Sequence, residues 1–425
     1  GISRVPYRPR RYATAVIELR EAREYVLSGC LPNDQVVVAL NDALGCVTAE
    51  AVVAAEQVPP FANTAVDGYA VIAADTANVP VTLQVTGTVR AGMSGADSPV
   101  DSGCAVRIMT GAPVPPGANA IVMVEDTEGS PEGDTVVVTA TATINQHIRP
   151  AGDDVNPGDP VIAVGTELTA AHLGVLATIG VTHIAVVRRP VVGVISTGDE
   201  LIDDGSPLAP GQIRDSNRLT LRKLLESHGF DTVDLGLARD NEQVIETAMR
   251  AGAESCDAIV TTGGVSMGDF DYVKVVLDRI GDMRWMQIAI RPAKPLAFGT
   301  LTRSDGTAVP VFGLPGNPVS SMVSYELFCR PGLRKMSGFG ADNLDVGIVK
   351  GVLTEPLRRR ADGKTHFARV VCEWDDESSM YKVRSAGAQG SHHMAAMAAA
   401  NALAELPDGD TLETGSTVRV RLLRP

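Results

Sequence analysis

The sequence predicts a multidomain protein of the α/β plus β class. Its 425 residues exceed one ordinary domain and have the length of about two to four. Between residues 189 and 329, strand-like and helix-like segments alternate, which favours a parallel sheet covered by helices on both faces. Before and after that stretch, short β-branched runs broken by Gly, Pro and Asp indicate β-rich domains. We therefore expect a central α/β sheet domain flanked by β-rich domains.

The first half of the chain predicts a small helical and mixed linker domain that is interrupted by a β-rich insertion. In residues 14–27, apolar residues recur three or four positions apart, as in an amphipathic helix. Residues 51–149 are assigned to the insertion, with β-branched runs at 79–85, 120–124 and 135–139. The turn NPGD and the helical stretch TAAHLGVLATIG follow, so the linker domain is expected to combine residues 14–50 and 150–187.

The second half predicts the sheet domain over residues 188–335 and a β domain over 336–425. The predicted order is strand 191–195, helix 216–228, strand 232–237, helix 241–254, strand 258–260, helix 270–280, strands near Leu296 and Val309, and helix 319–329. After Met336, helices become scarce and β-like runs return at 346–353 and 417–422.

Composition excludes several classes of protein. The net charge of −14 disfavours nucleic acid as a partner, because phosphate backbones are bound by clustered Lys and Arg. No apolar run is long enough to cross a bilayer, and the start GISRVPYRPRR lacks the apolar stretch of a signal peptide. The six cysteines form no C-x-x-C pair and are interpreted as reduced core thiols. A cytoplasmic protein is expected.

Polar loops follow three predicted strands, at the edge where open α/β sheets bind ligands. They span residues 196–200, 261–271 and 314–318. In the second loop Gly263 and Gly264 let the backbone turn and present N–H groups. Ser266 is suited to cap the next helix, whose N-terminus favours an anion. The loop therefore predicts a phosphate site.

Carboxylates beside this anion site predict a bridging cation. Asp269 and Asp271 lie in the second loop, and Glu200 ends the first. Mg²⁺ takes a few carboxylates and completes its shell with phosphate and water, which relieves the repulsion between carboxylate and phosphate. Glu200, Asp269 and Asp271 are thus the predicted metal ligands. From the second loop alone, a structural turn with aspartates that complement the helix N-terminus is an equal alternative.

A cationic strip, RPAKP at residues 291–295, is suited to binding an oxyanion, because its prolines stiffen a backbone that carries two cations. A solvated surface loop is the alternative. In the insertion, Asp67 precedes a glycine, which is typical of a hairpin turn, and Thr110 and Asp154 taken singly are interpreted as structural. No H-E-x-x-H, GxGxxG or Walker A motif occurs, which argues against metal hydrolases, dinucleotide oxidoreductases and P-loop enzymes.

Taken together, an ordered set of motifs resembles the molybdopterin molybdenumtransferase family, which includes MoeA and the corresponding domain of gephyrin. The matching segments run from about residue 59 to residue 403: PPFANTAVDGYAV, RIMTGAPVP, GVISTGDEL, RDSNRLTL, TTGGVSMGDFDYVK, IAIRPAKPLAFG, FGLPGNPVSSMVSYELF and AGAQGSHHMAAMAAANAL.

The resemblance implies an elongated homodimer of four-domain chains in which the central sheet domain binds molybdopterin and the last domain is barrel-like. It implies insertion of molybdenum from molybdate into adenylylated molybdopterin, with Mg²⁺-dependent release of AMP and formation of molybdenum cofactor. It also implies transient contact with molybdopterin adenylyltransferase and with apo-molybdoenzymes.

Carried over position by position, the resemblance implies catalytic roles for Glu200 and Asp271, and for Asp67 contributed by the other subunit. The candidate substrate-binding residues of the cleft are Thr110, Asp154, Thr197, Gly198, Asp199, Asp240, Gly263, Gly264 and Ser266. Around an oxyanion pocket between the third and fourth domains, the candidates are Arg291, Lys294, Pro295, Ser320 or Ser321, Arg369 and Ser391.

The chain departs from the family pattern at several positions. Gln287 and Arg291 stand where Lys is common, residues 64–67 read Thr-Ala-Val-Asp in place of Ser-Ala-Met-Asp, and Ala395 and Ala396 stand where a further serine is frequent. Arg in place of Lys keeps the charge but changes its geometry. Gln287 removes one cation, which predicts weaker anion binding or a paralogue with an altered role.

Two alternatives stay open. One is adenylyl transfer onto molybdopterin, because that sister family shares the TGG loop and the sheet; its members, however, are little more than the sheet domain. The other is a non-catalytic paralogue that binds molybdopterin or serves as a scaffold, as gephyrin does when it anchors receptors.

Overall fold

The computed structural model describes residues 15–129, 133–265 and 272–423. Contacts divide this part of the chain into two units. The first contains residues 15–36, 45–49 and 186–423, and the second contains residues 37–44 and 50–185. The predicted linker domain is thus divided between the units, and the four predicted domain boundaries stay predictions.

A seven-stranded sheet lies at the centre of the first unit. Its strands are, in spatial order, Val16–Ile17, Gly281–Ile288, Pro295–Thr302, Ala308–Leu314, Ala258–Thr262, Val191–Thr197 and Asp231–Ala238. The last four are mutually parallel. Their carboxyl ends therefore lie at one edge of the sheet, as the alternation of strands and helices predicts.

The other half of the sheet adds antiparallel pairing to the predicted parallel core. Pro295–Thr302 runs antiparallel to both of its neighbours, Gly281–Ile288 and Ala308–Leu314. The strand Gly281–Ile288 was not predicted from the sequence. Its residues GDMRWMQI contain a single β-branched side chain, so the run lacks the β-branched composition that marks the other strands.

Helices cover both faces of the sheet. Alternate residues of Ala258–Thr262 enter different cores: Ala258 and Val260 pack with Leu221 and Leu225, whereas Ile259 packs on the opposite face. The helices of the first unit are Leu19–Ser28, Asn217–Ser227, Glu242–Ser255, Tyr272–Ile280, Pro318–Ser324, Arg330–Met336 and Met394–Ala399, with a π-helical segment, Tyr325–Cys329, between the fifth and sixth.

The first helix begins five residues later than predicted, at Leu19, because Val16–Ile17 pairs with Gly281–Ile288 as the edge strand of the sheet. Ala22 and Val26 on this helix are fully buried in the same core as Phe298. The helix Ala170–Thr178 belongs to the second unit. Tertiary pairing at the strand thus replaces the first turn of the predicted helix.

The C-terminal region forms a closed β-barrel, in agreement with the predicted barrel-like domain. Its five strands are Ile348–Leu353, Thr365–Asp375, Met380–Ser385, Ala402–Leu406 and Thr417–Leu422. Each is hydrogen-bonded to two others of the set. Ile290–Arg291 also pairs with Thr365 and His366, which joins the cationic strip to the barrel.

The second unit is β-rich, as predicted for the insertion. Its main sheet has six strands, in the spatial order Thr127–Glu128, Thr135–Val138, Val81–Val89, Cys104–Ile108, Gly68–Val71 and Ala120–Met123. Alternate apolar residues form two small cores on its faces. Asp67 directly precedes the strand Gly68–Val71, which has a neighbour on each side.

Two expectations from composition concern the cysteines and membrane spans. All six cysteines are free thiols; five are buried and Cys104 is partly buried, so the interpretation as reduced, mostly core thiols is confirmed. Among the helices of the described ranges, none has the length and apolarity needed to span a membrane.

Candidate active site

A cavity of about 750 Å³ lies at the carboxyl edge of the four parallel strands. We call it the sheet-edge cavity. The three loops predicted to meet at this edge contribute Thr197, Gly198, Glu200, Gly263, Gly264, Val265, Pro315, Gly316 and Asn317. Further walls come from Asp240, Tyr272, Val273, residues 290–295, Ser320, Lys364, Gln389, Gly390 and Ser391. The structure therefore brings most of the predicted residues of this unit into one concave site.

Two carboxylates, Glu200 and Asp240, lie in the cavity wall. Their loops hold each other: the Asp199 N–H donates to Asp240 Oδ2 (3.4 Å), and the Asp240 N–H donates to Asp199 Oδ1 (3.1 Å). Asp199 is exposed beside the wall and acts in this contact. Glu200 is also exposed, so its carboxylate is accessible to a ligand.

Gly198 permits the position of Glu200. Its φ is +145°, and a β-carbon added there would lie 2.5 Å from Glu200 Oε2. Any side chain at this position would therefore displace the carboxylate. The TGDE motif therefore requires glycine at position 198, because the Glu200 side chain approaches it closely.

We expect Gly198→Ala to move the Glu200 carboxylate and to lower the thermal unfolding midpoint, since the strain at a disfavoured backbone conformation costs about 1–3 kcal/mol. Gly205→Ala is the matched control, because Gly205 also has a positive φ (+78°) but has no atom within 4 Å of the added carbon. Crystal structures and melting curves of both variants check this. An unmoved Glu200 in the Gly198 variant contradicts the explanation.

The TGG loop turns sharply against its neighbours. Gly263 has φ +88° and Gly264 has φ +68°, values that favour glycine. The Gly263 N–H donates to Leu314 O (3.2 Å), and a β-carbon on Gly263 would lie 2.9 Å from Thr197 O. These glycines thus let three strand ends approach one another closely.

The rest of that loop lies outside the described residues. This applies to Ser266, Asp269 and Asp271, so the predicted helix cap, the second catalytic carboxylate and two of the three predicted metal ligands stay predictions. Within the described ranges, no group of three His, Cys, Asp or Glu side chains is placed to hold a metal. Glu200 is the one predicted metal ligand whose position is known.

Polar side chains connect the second and third loops. Asn217 Nδ2 donates to Thr262 Oγ1 (2.8 Å) and to Gly316 O (2.7 Å). Ser321 Oγ donates to Pro315 O from a buried position. Ser320 instead lines the cavity. The geometry therefore distinguishes the two serines: Ser321 supports the loop and Ser320 faces the ligand space.

The cavity wall also contains cations. Arg291 and Lys294 are exposed in the wall, and Pro295 and Ser391 lie beside them. Lys364, which the sequence reasoning missed, adds a third cation. It lies in the segment GKTHFAR, between the barrel strands, and its Nζ is 3.3 Å from Asp362 Oδ2. Asn317 and Gln389 are further wall residues that were missed.

Arg369 occupies a different place from the one expected. It is fully buried and is absent from the cavity wall. Its Nη2 donates to Ala388 O (2.8 Å) and Gly390 O (3.2 Å). The Gln389 side chain accepts from the Arg369 backbone N–H through Oε1 and donates to Arg369 O through Nε2. Burial lowers the pKa of Arg369. This residue therefore positions the wall loop that contains Gln389, Gly390 and Ser391.

Comparison with known proteins identifies the family. Residues 17–180 match the MoeA N-terminal region (domain I and II), residues 193–335 match a probable molybdopterin binding domain, and residues 350–423 match the MoeA C-terminal region (domain IV). A molybdopterin molybdenumtransferase from Haemophilus influenzae is 36% identical over 411 residues, which cover 95% of this chain and 98% of the relative. The chain belongs to the molybdopterin molybdenumtransferase family.

Other relatives agree with this assignment. Molybdopterin molybdenumtransferase 2 of Mycobacterium tuberculosis is 36% identical over 409 residues, covering 93% of this chain and 96% of the relative. A solved structure of the molybdopterin biosynthesis MoeA protein from Pyrococcus horikoshii aligns with a TM-score of 0.79 and 29% identity, over 96% of this chain and all of that one. The resemblance inferred from the ordered motifs is confirmed.

In this molybdenumtransferase family member, the second unit brings Asp67 and Thr110 together. Asp67 Oδ1 accepts hydrogen bonds from the Thr110 N–H (2.7 Å) and Thr110 Oγ1 (2.8 Å). These bonds, the backbone one first, lower the pKa of the exposed Asp67 carboxyl. The carboxylate is thus ionised and oriented. Asp154 is exposed in the same unit, but no hydrogen bond joins its side chain to this pair within the described residues.

Four of the residues that depart from the family pattern lie in or near the sheet and the cavity. Gln287 lies in the sheet, paired with Val16 and Pro295, and is not part of the cavity wall. Arg291, the other departure near the strip, does line the wall. Ala395 and Ala396 lie in the helix Met394–Ala399. Gln287 therefore lies beside the wall residue Pro295, with which it pairs in the sheet, whereas Arg291 lies in the wall itself.

Proposed function

We propose that this chain inserts molybdenum from molybdate into adenylylated molybdopterin, releasing AMP in a Mg²⁺-dependent reaction that yields molybdenum cofactor. The observation that supports this most strongly is the separation of charge in one cavity. Glu200 and Asp240 follow the adjacent strands Val191–Thr197 and Asp231–Ala238, whereas Arg291 and Lys294 precede Pro295–Thr302, three strands away from Val191–Thr197 in the sheet. Lys364 adds a cation from the barrel. The two substrates need opposite environments, and this cavity supplies both.

The acidic side suits a diphosphate bound together with a divalent cation. Mg²⁺ typically takes a few carboxylates and completes its shell with phosphate oxygens and water, and the Glu200 carboxylate in the wall is a donor of that kind. Glu200 would hold the ion, together with Asp269 and Asp271 from the undescribed part of the loop. Bound there, Mg²⁺ would supply charge neutralisation at the diphosphate. The glycines at 263 and 264 let the backbone approach the phosphates.

The cationic side suits molybdate, a tetrahedral dianion. Charge-assisted hydrogen bonds from Arg and Lys are about twice as strong as neutral ones. Ser320 and Ser391 add hydroxyl donors to the same wall. Arg291 and Lys294 would therefore bind and orient molybdate, while Arg369 holds the loop that bears Ser391.

The proposal includes a homodimer in which Asp67 completes the site of the other subunit. Thr110 holds the exposed Asp67 carboxylate at the surface of the second unit. There the carboxylate is accessible to a second chain. We also propose transient contacts with molybdopterin adenylyltransferase and with apo-molybdoenzymes, because the substrate and the product are passed between proteins in such a reaction.

Reconstitution tests the proposed reaction. With adenylylated molybdopterin, molybdate and Mg²⁺, the purified protein is expected to release AMP and to activate an apoenzyme that lacks molybdenum. Omission of Mg²⁺ or molybdate should prevent activation. Tight binding of the pterin substrate without AMP release or activation would instead support the scaffolding alternative and refute the enzymatic one.

A further inference from the structure

A second cavity, of about 660 Å³, adjoins the sheet-edge cavity. We call it the barrel-loop cavity, because most of its wall comes from the connections between barrel strands. The two cavities share the wall residues Arg291, Pro292, Gln389 and Gly390. The two cavities therefore adjoin at these residues.

The wall of the barrel-loop cavity is strongly cationic. It contains the guanidinium groups of Arg291, Arg358, Arg359 and Arg360, and a single carboxylate, Asp362, among its described residues. The whole chain has a net charge of −14, so this concentration of positive charge runs against its composition. A concave surface lined by one sign of charge focuses the field and concentrates counter-ions.

Two of these groups already have structural contacts. Arg359 donates from Nη1 to Leu406 O (2.9 Å) and from Nε to Asp410 O (3.2 Å), which ties the loop to the barrel. Asp362 lies between cations: its oxygens are 2.9 Å from His366 Nε2, 3.3 Å from Lys364 Nζ and 3.8 Å from Arg291 Nη1. These contacts hold the wall in place, and the negative charge of Asp362 is shared among its three neighbours.

The remaining cations have no such compensation. Arg358 and Arg360 are exposed into the cavity and form no ion pair within the part of the chain that the structure describes. Among the described residues, the ion pair of Arg291 is the long contact to Asp362, a carboxylate that also contacts Lys364 and His366. Three guanidinium groups therefore line the cavity with little neutralising charge, while Arg359 fixes the backbone from which two of them project.

We propose that the barrel-loop cavity binds a tetrahedral oxyanion, with Arg358 and Arg360 as its principal ligands and Arg291 shared with the sheet-edge cavity. Guanidinium groups bind phosphate and related oxyanions through paired N–H donors. The oxyanion is either free, as an inorganic ion, or the phosphate group of an organic molecule. Asp362 opposes its binding by repulsion. This binding function goes beyond the proposed reaction and is tested without it.

Anion binding to the full-length protein is the test, measured by titration calorimetry and equilibrium dialysis with molybdate, inorganic phosphate and AMP in separate arms. In Arg358→Gln/Arg360→Gln we expect one anion site fewer per chain, or an affinity about tenfold lower for the second site. Loss in the molybdate and phosphate arms identifies a free inorganic ion as the ligand. Loss confined to AMP identifies an organic phosphate. Wild-type stoichiometry and affinity in all three arms overturn the proposal.

A variant with the opposite expected effect protects the test against misfolding. Asp362→Asn removes the opposing charge and should tighten the second site by about threefold, more at low salt than at high salt. Lys350→Gln/Arg384→Gln is the matched control, because it removes the same charge from two exposed barrel positions outside both cavities. Equal weakening in this control, or no tightening in Asp362→Asn, counts against the proposal.

Discussion

Replacement of Glu200 by Gln is expected to reduce molybdenum insertion by at least about 100-fold, the scale at which loss of a positioned acid, base or charge is felt in catalysis. The carboxylate lies exposed in the cavity wall at the end of the strand Val191–Thr197. Gln keeps nearly the same shape but removes the charge that would hold a divalent ion. AMP release from adenylylated molybdopterin measures the effect.

The fold should be unaffected, because no hydrogen bond of the Glu200 side chain supports the described structure. Glu377→Gln is a suitable control, since Glu377 is an exposed residue of a barrel turn outside the cavity. Its activity should equal that of the wild type. Full activity of the Glu200 variant, at any Mg²⁺ concentration, would remove this residue from the mechanism.

Asp67→Asn is expected to cause a loss of similar size, and the two defects should complement each other. If Asp67 serves the site of the other subunit, a heterodimer of Asp67→Asn and Glu200→Gln chains has one site with both native carboxylates. Random exchange makes half of the dimers mixed, so the mixture should regain about a quarter of wild-type AMP release. Neither variant alone should rise above its own residual rate.

Thr110→Val provides a separate check on Asp67. This change removes the hydroxyl bond but keeps the backbone bond to the carboxylate, so its defect should be partial and should be complemented in the same manner. Subunit exchange must be shown directly by mass spectrometry of differently tagged chains. Confirmed exchange with no gain in AMP release would place Asp67 in its own subunit's site or outside the reaction.

The sheet-edge site was largely predictable, because its loops follow buried β-branched runs. Val191–Thr197 and Ala258–Thr262 are apolar strands followed at once by TGDE and TGG, and parallel strands place such loops at one edge. Gly263 could be assigned for the same reason: a sharp turn between strand ends leaves no room for a side chain. Local composition and a topological rule suffice for these positions.

Other features depend on tertiary contacts that no local pattern reports. Gly281–Ile288 is a strand because Pro295–Thr302 and Val16–Ile17 pair with its two edges. Ser320 and Ser321 are adjacent residues of the same type, so the sequence does not distinguish them. The structure does, because Ser321 donates to Pro315 O and Ser320 lines the cavity. Arg369 was expected beside the ligand, but it is fully buried and donates to the carbonyls of Ala388 and Gly390 in the wall loop. Lys364 reaches the cavity from a loop that is far away in sequence.

The closed barrel separates the chemistry of one loop from the stability of the domain. Each of its five strands is paired on both sides, and the segment 358–364 follows the anchor between Leu357 and Leu412. That segment supplies Arg358, Arg360 and Lys364, and it lies outside the five strands of the barrel. Substitution of these seven residues can therefore change which anions a homologue binds, while the five paired strands of the barrel keep their fold.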